Sequence, residues 1–162
     1  MPKVYIEKIE HLEPKFLIEK GIQGIIIDLD NTIAPRKKEE APESVKEWIR
    51  EIRAWGLKIV LISNSSRRRT EKFAHDLDLE FIPNALKPLP MAFIKASRKL
   101  KIPLNALAVV GDQIFTDVLG GNICGAFTVL VSPFSRKTDF FTTKFIRILE
   151  MLILKKIKNR KG

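Results

Sequence analysis

The sequence predicts an α/β fold of three layers, with a five-stranded parallel sheet between two layers of helices. Three observations predict it. Short apolar runs alternate with segments whose apolar residues recur at helical spacing. Each strand–helix unit is brief, as right-handed parallel crossovers allow. Gly24, Gly56, Gly111 and Gly125 stand near the ends of the apolar runs, where such a chain turns.

The elements follow in order. Residues 24–30 (GIIIDLD) form a buried-strand run. Val45, Trp48, Ile49 and Ile52 then recur at helical spacing, with Pro42 suited to a first turn and Gly56 to the stop. Residues 58–64 (KIVLISN) form the second strand. A helix over 67–78 turns Phe73, Ala74 and Leu77 inward, and a short third strand covers 81–84. Pro90 opens a helix over 90–100, with Ala92, Phe93, Ala96 and Leu100 on its inner face. Residues 106–112 (ALAVVGD) form the fourth strand, Phe115, Val118, Leu119 and Asn122 fit a short helix, and 127–131 (FTVLV) form the fifth strand. The arrangement is Rossmann-like.

Composition bounds the rest. A chain of 162 residues suits one domain, read here as 1–162, with a core over 22–132 and a helical tail over 140–160. The single cysteine, Cys124, excludes an internal disulfide framework and a multi-cysteine zinc site, and two histidines leave little for a histidine metal cluster. His11, His75 and Cys124 carry no convincing chemistry. No apolar run approaches the ~18–20 residues of a membrane span. The first residues lack the apolar core of a signal peptide, so a cytoplasmic, reducing compartment is expected. The net charge of +10 is uneven: residues 133–162 hold nine basic residues and two acidic ones. The body is close to neutral, and affinity for a polyanion would sit in the tail.

In open parallel sheets, ligands bind beyond the carboxyl ends of the strands. Strand one ends in Asp28-Leu29-Asp30-Asn31-Thr32 and strand two in Ser63-Asn64; Lys87 follows strand three; strand four ends in Gly111-Asp112, with Asp117 five residues on. Asp28 and Asp30 share one side of the strand or its end. Asp112 would join them if strands one and four are neighbours. Carboxylates so close repel one another unless a cation lies between them, and hard oxygen ligands suit Mg²⁺. A carboxylate there can attack phosphorus, and a second can protonate the leaving oxygen and then activate water. Lys87 and Ser63 can stabilise charge on a transferring phosphoryl group. Singly these features are weak, and Asp112 fits a helix N-cap as well as a ligand. Their order at successive strand ends carries the argument.

IIIDLDNT, LISNS, KP and VVGDQIFTD, in that order, resemble motifs one to four of the haloacid dehalogenase (HAD) superfamily and cover about 24–117. The GDQ–TDV–GGN stretch and the short spacing most resemble subfamily IIIA phosphatases of the YqeG type. The resemblance implies Asp28 as nucleophile and Asp30 as general acid/base. It implies Mg²⁺ held by the Asp28 carboxylate, the Asp30 backbone carbonyl and Asp112. It places Ser63, Asn64, Lys87 and Thr32 around the phosphoryl group, with Asp117 orienting Lys87 or the metal shell. The presence of Asp30 favours phosphatases over members acting on carbon–halogen bonds.

The gaps between motifs bear on the substrate. Thirty residues separate Thr32 from Ser63 and 22 separate Asn64 from Lys87, so neither gap holds a cap domain. An open site has no lid to grip a small molecule, and binding energy must come from a larger surface. Two basic clusters, Arg36-Lys37-Lys38 and Arg67-Arg68-Arg69, flank the expected site. They are read either as solvated loops or as a platform for an anionic substrate. In the tail, Phe145, Ile148, Leu149, Leu152 and Ile153 follow helical spacing, and lysines and arginines crowd the end. Such a helix suits an anionic membrane surface at the inner face, packing on the domain, or a homodimer contact. A nucleic-acid arm is disfavoured, because apolar residues dominate it. YqeG-type relatives include mitochondrial enzymes acting on phosphatidylglycerophosphate, which makes a large or membrane-associated phosphate monoester the expected substrate. The alternatives are a soluble phosphoprotein, nucleotide or sugar phosphate, or a non-catalytic phosphate-binding scaffold.

Overall fold

The computed structural model describes residues 1–134. The tail over 140–160, with its expected amphipathic helix, lies outside the described residues.

The strands are β1 (Val4–Ile6), β2 (Gly24–Asp28), β3 (Lys58–Ile62), β4 (Glu80–Ile82), β5 (Leu107–Gly111) and β6 (Phe127–Val131). The helices are α1 (Pro14–Glu19), α2 (Glu43–Ala54), α3 (Arg67–Leu77), α4 (Pro90–Leu100) and α5 (Leu119–Ile123), the last preceded by a π turn over Ile114–Val118. All six strands are parallel, in the order β1-β6-β5-β2-β3-β4. Among the described residues the sheet therefore has six strands, not the five expected from sequence. The additional one, Val4–Ile6, is a three-residue edge strand held through Val4 opposite Val129. Its pairing partner is more than 120 residues away, so no local pattern marks it.

The centre of the sheet positions the site. Every residue of β2 and β5 is buried, as strands covered on both faces must be. Ile25 and Ile27 face one core with Trp48, Ile52 and Phe73 from α2 and α3. Ile26 and Val109 face the other with Phe93 and Ala96 from α4. β2 pairs with β3 on one side and β5 on the other, in register Asp28–Ile62 and Ile27–Val110. The carboxyl ends of strands one and four of the sequence reading are therefore neighbours. Between β2 and β3 lie only a loop and α2, and between β3 and the loop carrying Lys87 only α3 and β4. No cap is inserted at either place.

Candidate active site

β2 delivers Asp28 to the sheet edge, and the chain then folds back on itself. Asn31 adopts φ 63°, and its N–H donates to the Ala34 carbonyl at 2.8 Å, while Ile33 N–H reaches the Leu29 carbonyl at 3.1 Å. This tight reversal keeps Asp28, Asp30 and Thr32 within one buried turn, at 7%, 6% and 1% exposure. Thr32 Oγ1 donates toward Asp28 Oδ2 at 3.3 Å or Asp112 Oδ1 at 3.4 Å.

Lys87 reaches in from the loop after β4 and is itself buried. Its Nζ lies 2.6 Å from Asp28 Oδ1 and 2.5 Å from Asp117 Oδ1. Asn64 fixes its backbone: Lys87 N–H donates to Asn64 Oδ1 at 2.8 Å, and Asn64 Nδ2 donates to the Lys87 carbonyl at 3.3 Å. Asp117 is held in turn by the Gln113 N–H at 3.2 Å. Gly111 makes room for it, since a Cβ there would stand 2.2 Å from Asp117 Cγ. Ser63 Oγ accepts the Ser65 N–H at 3.0 Å.

Asp28, Asp112 and Asp117 bring one carboxylate oxygen each within 4.8 Å of one another. Burial pushes the Asp28 carboxyl up to about 7; Lys87 opposes the shift while Asp117 and Asp30 add to it. Burial, with Asp28 and Asp117 nearby, pushes Asp112 up to about 8. Burial works against the Lys87 ammonium, yet the Asp117 and Asp28 carboxylates hold its pKa above the usual lysine value. Two carboxylates this reluctant to ionise, in an all-oxygen cluster, fit a hard divalent cation.

The Asp30 side chain finds its hydrogen-bond partners outside this cluster. Ser65 Oγ donates to its Oδ2, and Arg69 Nε donates to its Oδ1 at 2.9 Å. The same guanidinium donates to the Lys38 and Pro35 carbonyls at 2.9 and 3.4 Å. It thereby ties the first basic loop to α3.

Asp28, Asp30, Ser63, Asn64, Lys87 and Arg36 line one cleft. Asp112, Asp117 and Thr32 adjoin it through the contacts above. Of the basic clusters, Arg69 is turned inward on Asp30, whereas Lys37, Lys38, Arg67 and Arg68 are exposed outside the cleft. Arg67 lies 3.9 Å from Glu71 and stacks over Phe81. Sequence reasoning missed Ser65, Gln113 and Thr116, which complete the cleft lining. All three lie inside the motifs quoted above, Ser65 in LISNS and Gln113 and Thr116 in VVGDQIFTD, and that place was the signal. Among the described residues, no helix is long and apolar enough to cross a membrane.

A parallel sheet carrying these four motif groups at its carboxyl edge, with no cap among the described residues, defines a hydrolase of the HAD superfamily. Solved structures share the fold. NagD from E. coli K-12 aligns over 74% of this chain and 93% of its own, with TM-score 0.59 and 14% identity. The 3-deoxy-D-manno-octulosonate 8-phosphate phosphatase of Moraxella catarrhalis, solved with magnesium and phosphate ions, aligns over 62% of this chain and 64% of its own (TM-score 0.51, 17% identity). More specifically, the chain belongs to the family described as mitochondrial PGP phosphatase, whose model matches residues 1–133. It is 39% identical over its full length to the probable phosphatase YqeG of Bacillus subtilis, covering 93% of that protein. It is 26% identical to the chloroplastic/mitochondrial phosphatidylglycerophosphate phosphatase 1 of Arabidopsis thaliana, with 96% of this chain aligned to 47% of that one. The chain is thus a HAD-type phosphatase of the YqeG kind.

Proposed function

We propose that the chain hydrolyses a phosphate monoester through an aspartyl phosphate on Asp28, with Mg²⁺ as its metal and a lipid headgroup phosphate, phosphatidylglycerophosphate, as its substrate. The observation that carries the mechanism is the meeting of Asp28 with the Lys87 ammonium at 2.6 Å, beside Asp112, at the open edge of the sheet.

In the first half, an Asp28 carboxylate oxygen attacks phosphorus and the bond to the ester oxygen breaks. The departing oxygen takes the proton of the Asp30 carboxyl. In the second half, water attacks the same phosphorus and gives its proton to Asp30. Inorganic phosphate leaves and the Asp28 carboxylate is restored. Lys87 and the Ser63 hydroxyl hold the phosphoryl oxygens as charge shifts onto them. Asp117 keeps the Lys87 ammonium in place. Asn64 fixes the same lysine from its backbone, and Thr32 orients Asp28. Asp28, Asp112 and the Asp30 backbone carbonyl would hold Mg²⁺, which when bound offsets the negative charge shared by nucleophile and phosphate.

The substrate reading is supported by the absence of a cap and by the relation to phosphatidylglycerophosphate phosphatases. An uncapped cleft suits a phosphate at the end of a large or surface-bound molecule. The test is a comparison of kcat/KM for phosphatidylglycerophosphate in detergent micelles with those for soluble nucleotides, sugar phosphates and a phosphopeptide, with Mg²⁺ and with EDTA. The lipid should lead by a wide margin, and EDTA should abolish turnover. A soluble phosphate ester hydrolysed far faster than the lipid overturns the substrate assignment.

A further inference from the structure

Two segments that supply cleft-lining residues also carry apolar side chains exposed to solvent. Leu86, Met91, Ile114 and Leu119 are 54%, 57%, 50% and 38% exposed. They belong to two segments beside the site. Leu86 immediately precedes Lys87, and Met91 stands in the first turn of α4. Ile114 follows Gln113, which lines the cleft with Asp28 and Lys87, and Leu119 opens α5 five residues further on. The segments lie side by side, since a Cβ at Gly120 would approach the Pro88 Cα to 3.2 Å. Contiguous apolar surface of this kind usually marks an interaction site.

Leu86 adds a second, independent sign. Its φ is 53°, in the left-handed region that a leucine rarely adopts, yet more than half of its side chain faces solvent. Strain held without a packing return points to function. The loop after β2 and the first turn of α3, a helix packed on the face of the sheet opposite α4, carry exposed Lys37, Lys38, Arg67 and Arg68. The first turn of α3 holds these arginines and no acidic residue, against the preference of a helix N-terminus.

An aliphatic rim beside a cationic one complements an anionic phospholipid surface, with acyl boundary for the first and headgroup phosphates for the second. We propose that this rim is a membrane-docking surface: Leu86, Ile114 and their neighbours enter the acyl boundary while Lys37, Lys38, Arg67 and Arg68 meet the headgroups, so that the cleft opens onto the bilayer. The inference rests on the lipid-phosphate reading above and adds to it the contact face and the orientation of the site.

The test is flotation of the full chain with vesicles of phosphatidylglycerol and phosphatidylcholine, and with phosphatidylcholine alone, using Leu86→Asn, Ile114→Gln and the pair. Asparagine tolerates the left-handed backbone, so the first change leaves the loop its shape. The wild-type protein should bind the anionic vesicles, less so in high salt and on phosphatidylcholine alone. Each substitution should weaken binding by about tenfold, the scale of one largely buried aliphatic group. Turnover of soluble p-nitrophenyl phosphate should stay unchanged. Vesicle binding by the double variant equal to wild type overturns the proposal and assigns any binding to another part of the chain, such as 140–160. Failure of the wild type to bind vesicles overturns it too. A double variant that alters molecular mass by light scattering but not vesicle binding overturns it in favour of a second copy of the chain. Hydrolysis of phosphatidylglycerophosphate in micelles reads the substrate assignment separately, so either can fail alone.

Discussion

The Lys87 ammonium lies 2.6 Å from Oδ1 of Asp28, buried with it at the edge of the sheet. The proposed nucleophile and the cation proposed to hold the phosphoryl group neutralise each other until substrate arrives. Replacing the lysine leaves Asp28 and Asp117 as neighbouring buried carboxylates. Lys87→Met is therefore expected to cost about 3–5 kcal/mol in urea unfolding, the scale for breaking a buried pair from one side. It should also lower turnover by about 10²–10³-fold, the scale of losing one oriented stabiliser of transition-state charge. Turnover near the wild-type rate would remove Lys87 from the mechanism.

The acidic cluster makes metal-free stability depend on pH in a definite direction. Asp28 and Asp112 are raised to about 7 and about 8, above the usual carboxylate value near 4. The folded state thus holds protons that the unfolded state releases. This stabilisation is complete below the unfolded pKa and is lost as pH rises through the folded values. In EDTA, Tm should fall between about pH 5 and about pH 9, by about 2–4 °C for each kcal/mol lost. Mg²⁺ should raise Tm more at the alkaline end, where it does not compete with protons. Asp112→Asn should raise the metal-free Tm at alkaline pH and abolish the response to Mg²⁺. An unchanged response would place the metal elsewhere.

Asp30 is expected to matter most when the leaving oxygen needs a proton. Asp30→Asn should lower kcat/KM, which reads formation of the aspartyl phosphate, by about 10²–10⁴-fold for an alkyl phosphate, the range for general acid catalysis, and by much less for p-nitrophenyl phosphate. Arg69→Gln removes the 2.9 Å contact on Asp30 and the ties to Pro35 and Lys38. It should show the same asymmetry at smaller size. Equal losses on both esters would argue that Asp30 is structural.

Gly111 tests the support of Asp117. A methyl group there collides with Asp117 Cβ and Cγ, at 2.6 and 2.2 Å. Gly111→Ala should destabilise by about 1–3 kcal/mol as an overpacked site, and should lower kcat by displacing the partner of Lys87. A fully active Gly111→Ala protein would show that Asp117 is not needed where it stands.

Much of this arrangement was legible in the sequence because parallel strands announce themselves locally. GIII, IVLI and LAVVG are apolar runs buried on both faces, and the residues after them fall at the sheet edge by geometry alone. Contacts that join distant segments were not legible. Val4–Ile6 becomes a strand only by pairing with β6. Arg69 reads as one of three arginines on a solvated helix start, and nothing local says that it alone turns inward to Asp30. The helix expected over Phe115–Asn122 divides into a π turn and α5. There Asp117 takes the Gln113 N–H, a side-chain contact that periodicity does not record.

The central claim is that Asp28 carries the phosphoryl group in turnover. Borohydride reduces an acyl phosphate to the alcohol, so trapping during turnover converts a phosphorylated aspartate to homoserine, which peptide mass spectrometry locates. Asp30→Asn with p-nitrophenyl phosphate is the best case, since loading needs little acid help while hydrolysis of the intermediate lacks its base. Homoserine is expected at position 28 alone, dependent on Mg²⁺ and absent from Asp28→Asn, which should also be inactive. Unmodified Asp28 in a protein that turns over, or turnover by Asp28→Asn at the wild-type rate, would contradict it.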